Sequence, residues 1–276
     1  MAKPPPGMLM GLTFPIVFGL LFLVVPLQEL IGGPGARLLV FVAAFAAACW
    51  FARAGDVGVD RLGWVQPRGR PVALGFGIGA GLVAVVVMVM VAAGWYALTW
   101  SGRAGALLSA VVSGVAVGLY EEALFRSLWF GGLEPVLGTW LTLAVSAAFF
   151  GFIHSFNPGA TLVSSVAIAL TAGVLLGAVF ILRRDLWLVA AMHAAWNATL
   201  GGVFGMPVSG NTPAGSSCRP PSGGPTCGPA ARSGRKARSS PPWVVAGAGL
   251  RYLWRARSSP SITRPIWRRD TGHDRA

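Results

Sequence analysis

Residues 105–130 read GALLSAVVSGVAVGLYEEALFRSLWF, a stretch that carries no charge except Glu121, Glu122 and Arg126. About 20 predominantly apolar residues span a bilayer core as a helix. An ionisable group near the middle of such a helix costs at least ~2.5–3.5 kcal/mol on insertion scales. Three charges in one apolar run therefore need partners. Glu122 and Arg126 are four apart and share a helix face, where an ion pair neutralises both. Glu121 is turned roughly 100° away and is left for a partner on another segment.

Similar apolar stretches lie on both sides of this one, separated by Gly, Pro and Arg. They run over about 11–31, 37–54, 72–96, 138–156, 160–182 and 186–205, so that with 105–130 the expectation is an all-α polytopic transmembrane bundle of about seven spans. The strict alternation of barrel strands is absent, and helices satisfy their backbone groups within each segment. Composition agrees: 54% of the 276 residues are hydrophobic and 11% charged, against about 25% charged in an ordinary soluble domain. Glycines at 75, 77, 79 and 81 let helix backbones approach closely in lipid and do not form a nucleotide-binding motif. The N-terminal run lacks a convincing cleavage site and reads as a retained span.

Charge is unevenly placed. Up to Thr212 there are 10 Lys+Arg against 7 Asp+Glu, and from Pro213 onward 12 against 2. The net +13 therefore belongs mainly to the tail, which argues against nucleic-acid binding. The domain division is thus 1–209, a helical membrane domain with its functional core over about 105–205, and 210–276, a tail rich in Pro, Gly, Ser and Arg. The tail has only a short apolar patch from Trp243 to Leu250 and reads as disordered. A frame slip near Ala214 or Gly215 in a GC-rich gene would produce the same kind of text. Arg53, Arg61, Arg68 and Arg70 in the second loop and Arg183 and Arg184 in the sixth outweigh Arg37 and Arg103 in the first and third. This balance puts the even loops and the N-terminus in the cytoplasm and the chain in the cell membrane. Cys49, Cys218 and Cys227 have no metal-ligand spacing.

Two further pairs share a face at four-residue spacing: Phe150 with His154, an imidazole on an aromatic ledge, and His193 with Asn197, two hydrogen-bonding groups side by side. Such a donor pair suits the developing negative oxygen of a carbonyl under attack, and a carboxylate such as Glu121 suits a general base. With a turn between Glu134 and Gly138, Glu121 lies 13 residues before it and His154 lies 16 after it, at similar depth for ~1.5 Å per residue. His193 is only eight residues past Asp185, or ~12 Å, so the seventh helix must enter lower or the fourth must protrude.

Glu-Glu-x-x-x-Arg at Glu121, Glu122 and Arg126, Phe-x-x-x-His at Phe150 and His154, and His-x-x-x-Asn at His193 and Asn197 resemble, in order and separation, the CPBP family of intramembrane peptidases. That family is also called the CAAX-protease and bacteriocin-processing, or Abi, family. The resemblance covers about residues 105–205 and implies a membrane-embedded endopeptidase with a CAAX-protease-like fold, acting on leader-bearing, prenyl-type or membrane-associated peptides. By similarity, Glu121 and His154 activate the attacking water, His193 and Asn197 form the oxyanion site, and Glu122 with Arg126 braces it. The family is often labelled a metalloprotease, although a glutamate-type mechanism has also been argued. A metal-free Glu is the reading preferred here, with Glu121, His154 and His193 as the ligands if a divalent ion such as zinc is used. Members of the family resemble one another in continuing with another apolar helix where this chain has its basic tail. The partners implied are membrane lipid and a peptide substrate. Two other classes fit the same residues: a proton-coupled transporter, for which inverted repeats are not seen, and a non-catalytic scaffold or immunity protein.

Overall fold

A computed structural model describes residues 6–55, 58–94, 104–211 and 242–268. Its elements are α1 (Pro6–Ile31), α2 (Gly33–Gly55), α3 (Gly69–Ala92), α4 (Ala104–Glu122), a π-helical stretch (Ala123–Trp129) and α5 (Phe130–His154). Then come α6 (Leu162–Ile168), a second π stretch (Ala169–Gly173), α7 (Val174–Arg183), α8 (Leu186–Asn197), a third π stretch (Ala198–Val203) and α9 (Pro242–Ala256). Among the described residues there is no strand, only one isolated bridge between Val208 and Asn211.

Five helical runs are long and apolar enough to cross a membrane: Met10–Ile31, Gly33–Ala54, Gly69–Ala92, Leu107–His154 and Leu162–Arg183. Their outer faces present large apolar side chains, with Phe22 71%, Leu30 79% and Leu162 79% exposed. Surfaces of this kind are stable against lipid. The chain is a multi-pass helical membrane protein. The 48-residue run Leu107–His154 is interrupted at Gly138, whose φ of 73° and ψ of 167° let the chain turn. The expected break between residues 130 and 138 is thus present, although it falls at a kink inside one continuous run.

Helices meet at small residues. A Cβ on Gly75 would strike the carbonyl of Leu188, and one on Gly79 would strike that of Met192, so α3 lies directly on the backbone of α8. Gly114 and Gly118 of α4 approach α8 from another side, against Ala194 and Ala190. Between them these contacts wedge α8 into the bundle, and it carries two of the expected site residues.

His193 reaches Glu121, and α8 starts on a loop packed into the bundle. Residues 58–64 of the second loop fold inward: Leu62 and Trp64 are buried, Trp64 donates its indole N–H to Ser127 Oγ at 2.6 Å, and the Leu186 amide donates to the Gly63 carbonyl at 2.9 Å. α8 begins on this inserted loop and runs between α3 and α4.

The tail corrects one expectation. Residues 242–268 are ordered onto the core: α9 packs along α7, and the chain beyond it returns to the Gly138 turn. There the Thr139 amide donates to the Thr263 carbonyl at 3.0 Å and the Thr263 amide to Thr139 Oγ1 at 2.8 Å. Arg184 donates to the Ser261 carbonyl at 3.0 Å and pairs with Glu134 at 2.5 Å, its guanidinium lying between the Phe130 and Phe180 rings. The physical reason is α9 itself. Val245, Tyr252 and Ala256 fall on one face and pack against the core, while Leu250 and Trp254 stay exposed on the other. The rest of the expected disordered tail, residues 212–241 and 269–276, lies outside the described residues.

Candidate active site

The three constellations converge. Glu121 and Glu122 close α4, Arg126 stands in the first π stretch, His154 ends α5, and His193 and Asn197 sit on the last half of α8. All six are buried, each at most 9% exposed. Each π stretch adjoins one of these groups, and such stretches inside helices mark places where the regular hydrogen-bond ladder is broken and functional groups gather.

Glu122 organises the floor. Its Oε2 lies 3.1 Å from Arg126 Nε, as the i,i+4 spacing predicted, and its Oε1 lies 2.8 Å from His193 Nδ1. Arg126 extends on to the carbonyls of Ala172 and Gly173 at 3.5 and 3.4 Å, at the end of the second π stretch. Its guanidinium lies 4.9 Å from the centre of the Phe150 ring, a cation–π placement. That ring also packs 4.6 Å from His154 and 6.1 Å from His193, and is the ledge the Phe-x-x-x-His spacing predicted.

Tautomers follow from partners. His154 Nδ1 is 2.6 Å from the Phe150 carbonyl, and a carbonyl can only accept, so Nδ1 carries the proton. His193 Nδ1 faces the Glu122 carboxylate and donates in the same way. Both rings are thereby oriented with Nε2 toward one atom, Glu121 Oε2, at 4.0 Å from His154 and 3.9 Å from His193. These separations are too long for direct hydrogen bonds. Glu121 Oε2 is buried and has no hydrogen-bond partner, while its other oxygen accepts from Tyr120 Oη at 3.2 Å. An orphaned carboxylate oxygen facing two imidazole nitrogens across such gaps is a place for a water, which can donate one hydrogen to the carboxylate and the other to one imidazole Nε2.

The same three atoms are the ligand set considered for a divalent ion. Donors each about 2.1 Å from a tetrahedral zinc lie roughly 3.4 Å apart, whereas here the separations from Glu121 Oε2 are 3.9 and 4.0 Å. Among the described residues no group of three or more His, Cys, Asp or Glu side chains is gathered to hold an ion. The residues as placed do not fit a metal, and the metalloprotease reading has no support in them.

Three contributors were not visible as such in the sequence. Tyr120 lies next to Glu121 in the chain, but nothing in its spacing signalled that its hydroxyl would turn back to the neighbouring carboxylate. Trp64 and Ser127, 63 residues apart, carry no local signal at all. Asn197, one turn beyond His193, is buried near the end of α8.

The bundle is faced by apolar side chains and holds a carboxylate and two oriented imidazoles in its interior. Residues 103–199 match the model of the family described as type II CAAX prenyl endopeptidase Rce1-like. Over that stretch the chain is similar to the domain of the CAAX-type intramembrane endopeptidases. No curated protein and no solved structure matches the chain.

Proposed function

We propose that this protein hydrolyses peptide bonds of membrane-associated substrates with a water activated by Glu121 and His154. The convergence of both Nε2 atoms on the orphaned Glu121 Oε2 supports this reading most directly. A water in that gap gives a proton to Glu121 as its oxygen attacks the scissile carbonyl, and His154 Nε2 accepts the second hydrogen bond and orients it. The negative oxygen that forms is stabilised by His193 Nε2–H, once that ring is doubly protonated against Glu122, and by the Asn197 amide. Glu121 then returns its proton to the leaving amine. Glu122, Arg126 and Phe150 hold the geometry without touching substrate.

Burial in the bundle makes peptides that partition into the membrane the accessible substrates, prenyl-type and leader-type segments among them. In this proposal the chain crosses the membrane seven times: the run 107–154 crosses twice, on either side of Gly138, and 186–203 once more. The N-terminus is cytoplasmic, the membrane is that of the cell, and residues 1–209 form the catalytic domain.

The test is cleavage of membrane peptides by the purified protein, compared with Glu121→Gln, His154→Ala and Asn197→Ala. Removing the base or its partner should lower kcat by about 10²–10⁴, and removing Asn197 by about 10²–10³ with KM little changed. Undiminished cleavage in both Glu121→Gln and His154→Ala would refute the assignment. Proton-coupled solute uptake in proteoliposomes, lost in the same variants without any peptide cleavage, would favour a transporter.

A further inference from the structure

One end of the bundle gathers segments that lie far apart in the chain. The second loop is tied to the start of α8, where the Leu186 amide donates to the Gly63 carbonyl at 2.9 Å and Trp187 Nε1 to the Val65 carbonyl at 2.7 Å. The segment after α9 is tied to the same end, because Arg184 donates to the Ser261 carbonyl and the Thr139 amide to the Thr263 carbonyl, each at 3.0 Å. The level of this end in a bilayer follows from the spans: the run Leu162–Arg183 stops at Arg183, and the run Gly69–Ala92 starts directly after Arg68. Charges at the limits of a span lie at the level of the lipid headgroups.

This assembly concentrates cations. Arg61 and Arg68 of the second loop, Arg183 of the sixth, and Arg255, Arg257 and Arg268 of the C-terminal segment are all exposed. Residues 242–268 hold five arginines and no acidic residue. Nearby acids offset little of this. Glu134 pairs with Arg184, and Asp185 caps α8 by accepting from the Leu188 amide at 3.1 Å, which leaves Asp60 exposed.

Apolar groups stand among the arginines: Trp254 is 70% and Trp267 59% exposed, beside the exposed Leu250 and Ile266. α9 lies along α7, which belongs to a spanning run, so the outward face of α9 meets lipid. On that face Leu250 and Trp254 are four apart, as are Arg251 and Arg255. One stripe is therefore set against hydrocarbon, while the adjoining one carries guanidinium groups whose apolar stems let them reach the headgroups. A soluble acidic partner would use the arginines alone. A boundary between hydrocarbon and anionic headgroups uses the tryptophans as well.

We propose that the C-terminal segment, together with the second and sixth loops, forms a binding surface for the headgroups of anionic phospholipids. It is independent of the peptidase reading. Each arginine near an anionic leaflet raises affinity about 5-fold, and guanidinium groups hold phosphate oxygens through paired N–H bonds. Lipid bound across the segment and the loops favours the docked state, so residues 257–268 are held more firmly on the Gly138 turn as the anionic lipid content rises.

The experiment uses the full chain in mixed micelles. Tryptophan quenching by brominated-chain phosphatidylglycerol and by brominated-chain phosphatidylcholine gives the relative affinity of the two lipids, and hydrogen exchange of residues 257–268 is followed in parallel. The expected result is a preference for phosphatidylglycerol of about 10-fold or more, falling to under about threefold in Arg255→Gln/Arg257→Gln/Arg268→Gln and returning in the corresponding triple Lys variant, which keeps the charge. Exchange in 257–268 should slow with phosphatidylglycerol and not with phosphatidylcholine. Arg61→Gln/Arg68→Gln, on a loop outside the C-terminal segment, should lower the preference by itself and decides the matter if the triple variant does not fold. A ratio near one in the wild type overturns the proposal, and so does an unchanged ratio in either folded Gln variant. Exchange that ignores phosphatidylglycerol overturns it too. No recovery in the Lys variant would mean that the arginines only hold the segment in shape, and counts against the proposal in the same way. A single-stranded oligonucleotide or an acidic peptide that displaces phosphatidylglycerol at a lower concentration than the lipid would assign the surface to a soluble polyanion, with the same consequence.

Discussion

Replacing Arg126 with Met tests the floor of the site. Arg126 and Glu122 are 1% and 0% exposed, with Nε and Oε2 3.1 Å apart. Met keeps much of the length and apolar contact with Phe150 but removes the charge. Glu122 then keeps only the 2.8 Å bond from His193, and its second oxygen faces an apolar interior. Breaking one side of a buried ion pair costs about 3–5 kcal/mol, because the remaining charge is uncompensated. At about 2–4 °C per kcal/mol for a domain of this size, the melting temperature in detergent should fall by about 6–20 °C. Adding Glu122→Gln to Arg126→Met removes the stranded charge and should recover part of the loss, with a coupling of about 1.5 kcal/mol or more across the double-mutant cycle. The cycle is read by thermal unfolding monitored through tryptophan fluorescence. A single variant that melts within about 2 °C of wild type, the shift of roughly 1 kcal/mol or less, would refute the claim that the pair is buried and mutually neutralising.

Two further outcomes follow from the packing. Gly79→Val should prevent the close approach of α3 to the Met192 carbonyl of α8 and lower both stability and activity. Gly77→Val on the same helix meets open space and should leave both nearly unchanged, as thermal melts of the pair would show. Arg184→Ala should release residues 257–268 from the Gly138 turn by removing the bond to Ser261 and the pair with Glu134. Faster hydrogen exchange there, with exchange in α3 unchanged, is the expected reading, and unaltered protection of that segment would contradict it.

Much of the site was legible as local periodicity. Residues four apart face the same side of a helix whatever the rest of the fold does, so the Glu122–Arg126 pair and the Phe150 ledge under His154 were readable before any tertiary contact was known. The apolar runs and their approximate limits were legible for a similar reason, since bilayer thickness sets helix length. The shared face of His193 and Asn197 was visible too, but not the partner of His193 Nδ1, which proved to be Glu122, 71 residues away.

Sequence alone thus marked Glu121, Glu122, Arg126, His154 and His193 as groups to be buried and the neighbours on their own helices they would meet, because both follow from the solvent and the helical repeat, whereas it did not mark the buried Glu134. Tertiary structure decided everything that depends on how helices cross: the meeting of Glu121 with two imidazoles, the start of α8 against the inserted 58–64 loop, and the docking of α9 against α7. It also decided where the helical ladder loosens into π turns. Depth and crossing angle are set by glycine contacts and loop insertions far apart in the chain, and no window of residues contains that information.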